Sequence, residues 1–166
     1  MTDASAATWE DEVAALWDDE SLDDEARIAP MSALAERAPV VAIGLFELAG
    51  AHDAAGLEAD ADVLYRAATD AGLAEADPAR AAQLVIQHAS TLRNLGHVDE
   101  AIAMLEAAPE HPSTGAARDA FLALALHGAG RHDEALRVAL EALAPTLPIY
   151  RRSVLAYAAD LTHPPV

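Results

Sequence analysis

Three side chains, His52, Asp53 and His88, are the ones whose types could do metal or acid–base chemistry in this chain of 166 residues. Two imidazole nitrogens and a carboxylate make a minimal donor set for zinc or non-haem iron. Their spacing argues against that use. Neither His-x-x-Glu-His nor His-Glu-x-x-His occurs, and a lone histidine at a helical core position is ordinarily buried and hydrogen-bonded. Ser90-Thr91 lies near His88, but the surrounding run reads as helical rather than strand-turn-helix, so it is no nucleophile elbow. The chain has no cysteine, which excludes disulfides, thiolate ligands and thiol nucleophiles together. The acid clusters Asp18-Asp19-Glu20 and Asp23-Asp24-Glu25 lack the glycine and the alternating oxygen ligands of a calcium loop, and read as a solvated face. No glycine-rich phosphate loop is present. These residues predict a protein that is not an enzyme and carries neither metal nor cofactor.

Charge narrows the partners. The chain has 28 acids against 10 bases, a formal charge of −18, and every base is arginine. Such a surface repels phosphate backbones, so no nucleic acid is expected as a partner. The first base is Arg27, which leaves residues 1–25 purely acidic among their charged positions. The start, Met-Thr-Asp-Ala-Ser-Ala-Ala, has no positive or apolar region of a signal peptide, and the longest apolar run, around Ala38 to Phe46, is too short to span a bilayer. A soluble cytoplasmic protein without membrane contact is predicted. About a quarter of the residues are alanine and few are aromatic, so the core must form by close backbone approach and Leu/Ala contacts. The length suits one domain.

The elements that must position these side chains are helices that repeat. Gly96-His97-Val98-Asp99-Glu100-Ala101 returns 34 residues later as Gly130-Arg131-His132-Asp133-Glu134-Ala135, and a fainter copy, Gly56-Leu57-Glu58-Ala59-Asp60-Ala61, lies 40 residues before the first. A fixed period of this size signals stacked supersecondary units. Apolar spacing predicts helices at about 40–54, 58–71, 78–94, 98–109, 114–128 and 132–144, paired at Gly56, Gly96 and Gly130. The six extra residues of the longer interval are expected between Gly72 and Asp77. Asp77-Pro78 supplies an N-cap and N1 proline, and Ser113 or Thr114 a cap for the fifth helix. Before these lie a helix at 8–19, with Trp9, Val13, Leu16 and Trp17 on one face, and a segment at 22–37 that Pro30 should kink or split. A final helix at 148–161 reads as a polar-backed lid, followed by a disordered tail of His163 to Val166. The predicted layout is acidic capping helices over 1–38, three repeats at about 39–73, 78–112 and 113–147, and a capping helix with tail over 148–166.

Superposing the glycines aligns Ala61, Ala101 and Ala135, then Ala68, Ala108 and Ala142, with Tyr65, Leu105 and Val138 to Leu140 between them. In the preceding helices Leu48-Ala49, His88-Ala89 and Leu122-Ala123 align, followed by His52, Leu92 and Leu126. On these residues the chain resembles the tetratricopeptide repeat family, and the strings from Phe46 to Asp53 and Ala89 to Gly96 resemble its bacterial fifth group. The resemblance implies an all-α, right-handed α-solenoid of three helical hairpins capped at both ends. It also implies a concave groove lined by the first helix of each pair. Carried onto this chain, that groove presents Ile43, Phe46, Gly50, Asp53 and Ala54, then Gln83, Ile86, Ser90, Arg93 and Asn94, then Ala117, Ala120, Leu124 and His127.

The implied function is a protein-interaction module that holds a peptide or helix of a partner in this groove. Gln83 and Asn94 can pair with an extended main chain, Phe46, Ile86 and Leu124 can seat apolar side chains, and Arg93 can fork onto a carboxylate or else pair with Asp53. The two-carboxylate clamp of some family members is not matched, since the chain has no lysine, and an apolar or basic peptide suits the charge better. The Trp9/Leu16/Trp17 stripe either covers the first repeat, fills the groove, or makes a homodimer. A self-associating module, through that helix or through Tyr150/Tyr157, is the alternative, and a metal-dependent enzyme at His52/His88 a more distant one.

Overall fold

The fold is known from a computed structural model that describes residues 8–163, so most of the expected disordered tail lies outside the described residues. Among the described residues the regular structure is helical, without strands. The helices are α1 (Trp9–Trp17), α2 (Asp24–Glu36), α3 (Val41–Ala54), α4 (Glu58–Asp70), α5 (Leu73–Ala76), α6 (Pro78–Asn94), α7 (Val98–Ala107), α8 (Ala117–Gly128), α9 (His132–Leu143) and α10 (Arg151–Asp160). The all-α expectation holds. The longer interval between repeats is filled by α5, a single turn between Gly72 and Asp77, where the extra residues were expected.

The three hairpins turn by one chemical device. Gly56, Gly96 and Gly130 have φ of +73°, +86° and +77°, a left-handed conformation that costs any residue with a Cβ. At each, the glycine amide donates to the carbonyl three residues back, and the next amide donates to the carbonyl five back: Leu57 to His52 at 2.9 Å, His97 to Leu92 at 2.8 Å, Arg131 to Leu126 at 2.9 Å. This paired pattern satisfies carbonyls left open where the helix ends and reverses the chain into the next one. The helix entries vary more. Asp77 Oδ1 accepts from the amides of Ala79 and Arg80, both at 3.0 Å, as its sequence position predicts. Ser113 and Thr114 do not cap α8, which begins at Ala117 behind Ala116; instead Thr114 donates to the His111 carbonyl within the preceding turn. Pro30 does not split α2, which runs unbroken through it on an exposed face, where water can reach the carbonyl that the proline leaves without a donor.

Two compact units, Met1–Ala81 and Ala82–Val166, make up the chain, with the boundary inside α6. In the first unit α3 packs between α2 and α4, and α1 lies on α2. Val13, Met31, Leu34 and Ala51 are buried together, with Trp9, Leu16, Trp17, Ile28 and Leu48 packed against them. The Trp9 indole donates to the Leu34 carbonyl at 2.9 Å, so the amphipathic ring keeps its one donor satisfied while it covers the core. The tryptophan stripe therefore covers this unit's own helices. Close approach is possible because α3 carries Gly44: a methyl group there would stand 2.7 Å from Cβ of Ala38 and 2.8 Å from the Ala35 carbonyl oxygen. Ala49, Ala61, Ala68 and Tyr65 are fully enclosed in the same unit.

The second unit buries Ile86, Ala89, Leu92, Ala101, Ile102, Leu105, Leu122, Ala125, Leu126 and Ala135 as one cluster. The aligned small residues Ala61, Ala101 and Ala135 are buried in all three hairpins, as the repeat predicts. Their second set is not equivalent. Ala68 is enclosed, whereas Ala108 has already left α7 in an extended conformation and Ala142 is only half-buried.

Candidate functional site

The residues expected to line a groove sit differently on each first helix, because each helix packs differently. On α3, Phe46 is 5 % exposed and Ile43 7 %, because α2 and α4 close on both sides. Gly50 lies under the Trp17 ring, with room for a methyl group only at 3.4 Å from the indole. Asp53 is half-buried and accepts a hydrogen bond from the Tyr65 hydroxyl. Burial, the Asp53 charge and hydrogen bond, and the Glu47 charge together push the Tyr65 phenol far above its ordinary range, so it is a fixed donor at all working pH. On α6, Gln83 and Asn94 are exposed, Ser90 and Arg93 are half-buried, and Arg93 Nη2 donates to Asn94 Oδ1 at 3.3 Å. Ile86 is 8 % exposed and belongs to the core cluster. On α8, Leu124 is 49 % exposed and His127 is open.

Phe46 and Ile86, expected to seat a partner's side chains, are thus both packed in the interior of their own units. Leu124 is the large apolar residue of the expected set that stays exposed. It stands in an apolar trough of about 490 Å³ between α8 and α9, whose walls include Ala120, Ala123, Ala135, Leu136 and Ala139. Small alanines let an incoming helix approach closely, and Leu124 and Leu136, each half exposed, form its edges.

The histidines weighed for chemistry are held structurally. His52 Nδ1 lies 2.9 Å from the Leu48 carbonyl one turn back, which commits that nitrogen as a donor, and His88 is 3 % exposed. Among the described residues no group of three or more His, Asp or Glu is arranged to hold a metal ion. No helix among them is long and apolar enough to cross a membrane.

Two arrangements escaped the sequence. Glu47, 7 % exposed, accepts from Trp17 Nε1 at 2.9 Å and from Arg80 Nε at 3.0 Å, while Arg80 also reaches Asp77 at 2.9 Å and Glu10 at 2.5 Å. Burial alone would lower the Arg80 pKa, but the hydrogen bonds of Glu10 and Asp77 and the charge of Glu47 raise it overall. A charged residue inside the apolar run from Val40 to Ala49 was the available signal. The second is a pair of imidazoles, His127 and His132, tilted against each other with ring centroids 4.7 Å apart across the Gly130 corner. The corresponding pairs at the other corners are Asp53/Glu58 and Arg93/Val98, so superposed repeats already placed the two positions side by side.

A family model described as tetratrico peptide repeat matches residues 42–161. No curated protein and no solved structure matches the chain.

Proposed function

The chain belongs to the tetratricopeptide repeat family, in its fifth group, and from that premise we propose that it is a cytoplasmic interaction module that binds a helix or extended segment of a partner along its first helices. Proteins of this family generally mediate protein–protein contact. The residues assigned to the contact are Gln83, Ser90, Arg93 and Asn94 on α6 and Leu124 and His127 on α8. The carrying observation is Leu124, a large apolar side chain left 49 % exposed at the edge of an apolar trough. Isolated exposed leucines are common, but one set among Ala120, Ala123, Ala139 and Leu136 belongs to an apolar seam on which an amphipathic helix can lay its apolar face. The excess of acids favours a partner segment with basic flanks.

The test is a photo-crosslinking residue at position 124 of the chain, introduced in its native host, with position 103 on an exposed face of α7 as control. Adducts at 124 that map to one segment of one protein, and that vanish with Arg93→Glu combined with Asn94→Ala, are the expected result. Adducts equally strong at 103, or unaffected by the double substitution, refute it.

A second reading has its own observation. Ile149, Tyr150 and Tyr157 are 62 %, 73 % and 71 % exposed around α10, a surface suited to self-association. Light scattering over a range of concentrations separates the two readings, since a strict monomer removes the second.

A further inference from the structure

His127 is the penultimate residue of α8 and His132 opens α9, so the reversal at Gly130 brings two exposed imidazoles side by side. Their Nδ1 atoms stand 3.1 Å apart and their planes are tilted by 49°. In the metal-free protein one Nδ1 donates to the other. The same separation suits a different bridging species. Two imidazole nitrogens bound cis at about 2.0–2.1 Å from a zinc-sized ion lie roughly 2.9–3.4 Å from each other, as the angle between them opens from square to tetrahedral.

We propose that His127 and His132 form a bidentate site for a borderline divalent transition ion, zinc, nickel or copper, held through both Nδ1 atoms. The corner makes the geometry: a Gly130 φ of +77° and the Arg131 amide on the Leu126 carbonyl at 2.9 Å fix the two helix ends whether or not an ion is present. Arg131, the cation nearest in sequence, is neutralised by Glu134, with two contacts of 2.7 Å and 2.6 Å, so it does not oppose an incoming ion. A formal charge of −18 over the chain attracts cations generally, but imidazole nitrogens select against the oxygen-seeking calcium and magnesium. Since no third protein donor stands with them among the described residues, water completes the shell. The site lies at the end of the Leu124 trough, whose walls include both rings. It shares His127 with the proposed partner surface, but its test needs no partner.

The untagged full chain is titrated with copper, nickel, zinc and magnesium, by calorimetry and by thermal melts followed by circular dichroism. One equivalent of copper is expected to bind more tightly than nickel or zinc, following the general order of ligand affinity, and magnesium not at all. The ion should raise Tm, because it clips two helices that separate on unfolding, and a chelator should reverse the rise. His127→Ala and His132→Ala should each weaken binding by roughly a hundredfold or more, the gain a second tethered donor supplies. Both rings are exposed, so the metal-free melts of these variants should match the parent. His97→Ala and His111→Ala should bind like the parent. Stoichiometric binding that survives both His127→Ala and His132→Ala, or the absence of saturable binding in the parent, overturns the proposal.

Discussion

Glu47 keeps a carboxylate buried among the apolar residues of α3, and it does so only because two donors from distant parts of the chain end on it. Desolvating that charge costs several kcal/mol, and the Trp17 indole and Arg80 guanidinium offset the cost by hydrogen bonds in a place where water is scarce. Removing the carboxylate strands both donors. Glu47→Ala is therefore expected to lower the unfolding free energy by about 3 kcal/mol, whereas Glu47→Gln, which can still accept from Trp17, should lose less. Urea unfolding followed by tryptophan fluorescence reports it directly, because Trp9 and Trp17 both lie in this unit. A loss below about 1 kcal/mol for the alanine variant would show the network to be no better than a surface ion pair. At this scale the sequence was only partly legible. The tryptophan stripe declared itself by helical spacing, but the pairings of Glu47 cross 30 and 33 residues, and no local pattern encodes contacts at that range.

Helices and corners were the most legible part, for a physical reason: a backbone that must enter the left-handed region needs glycine, so Gly56, Gly96 and Gly130 mark their turns in the sequence itself. Where no such demand exists the boundary slid. The run from His111 to Gly115 closes its own turn through side chains, and α8 starts later than Ser113 or Thr114 would suggest. Burial was legible as a stripe and not as a ranking, so Phe46 and Ile86 passed for groove residues although neighbouring helices enclose them. The N-terminus of α6 was read correctly because Asp77 and Pro78 act locally, and it carries a pH dependence. The Arg80 amide above all, then the Arg80 side chain and its charge, and the Ala79 amide hold the Asp77 carboxyl below the usual carboxylate range, against a smaller effect of burial. An unfolded Asp takes up its proton near pH 3.9, earlier than the folded one on acidification, so this contribution is whole above that pH and disappears as pH falls through the folded value. Asp77→Ala should cost about 1 kcal/mol at pH 7. Its deficit relative to the parent should shrink as pH falls below about 4, measured as Tm against pH; a deficit that stays constant down to the acid limit of folding would mean that the cap works without its charge.

Across the whole molecule the dominant quantity is the surplus of acids. Among the described residues Arg27, Arg37, Arg66, Arg80, Arg118, Arg131 and Arg137 make ion pairs, so most of the 10 cations are already engaged with a minority of the 28 acids. Several of those pairs are exposed on at least one side, where a pair contributes little and salt weakens it further. The unpaired acids repel one another over distances that dissolved ions shorten, to about 10 Å at 0.1 M. Two opposite effects therefore act when salt is added: screened repulsion stabilises the folded chain, and screened pairs destabilise it. At a formal charge of −18 the repulsion should win, and Tm should rise as sodium chloride goes from a few millimolar to about 0.15 M. Glu47 and Arg80, shielded from solvent, should contribute almost nothing to that slope, so Glu47→Gln should keep it. A Tm that falls with salt would place the balance with the ion pairs, and the acidic surface would then owe its tolerance to them rather than to solvation.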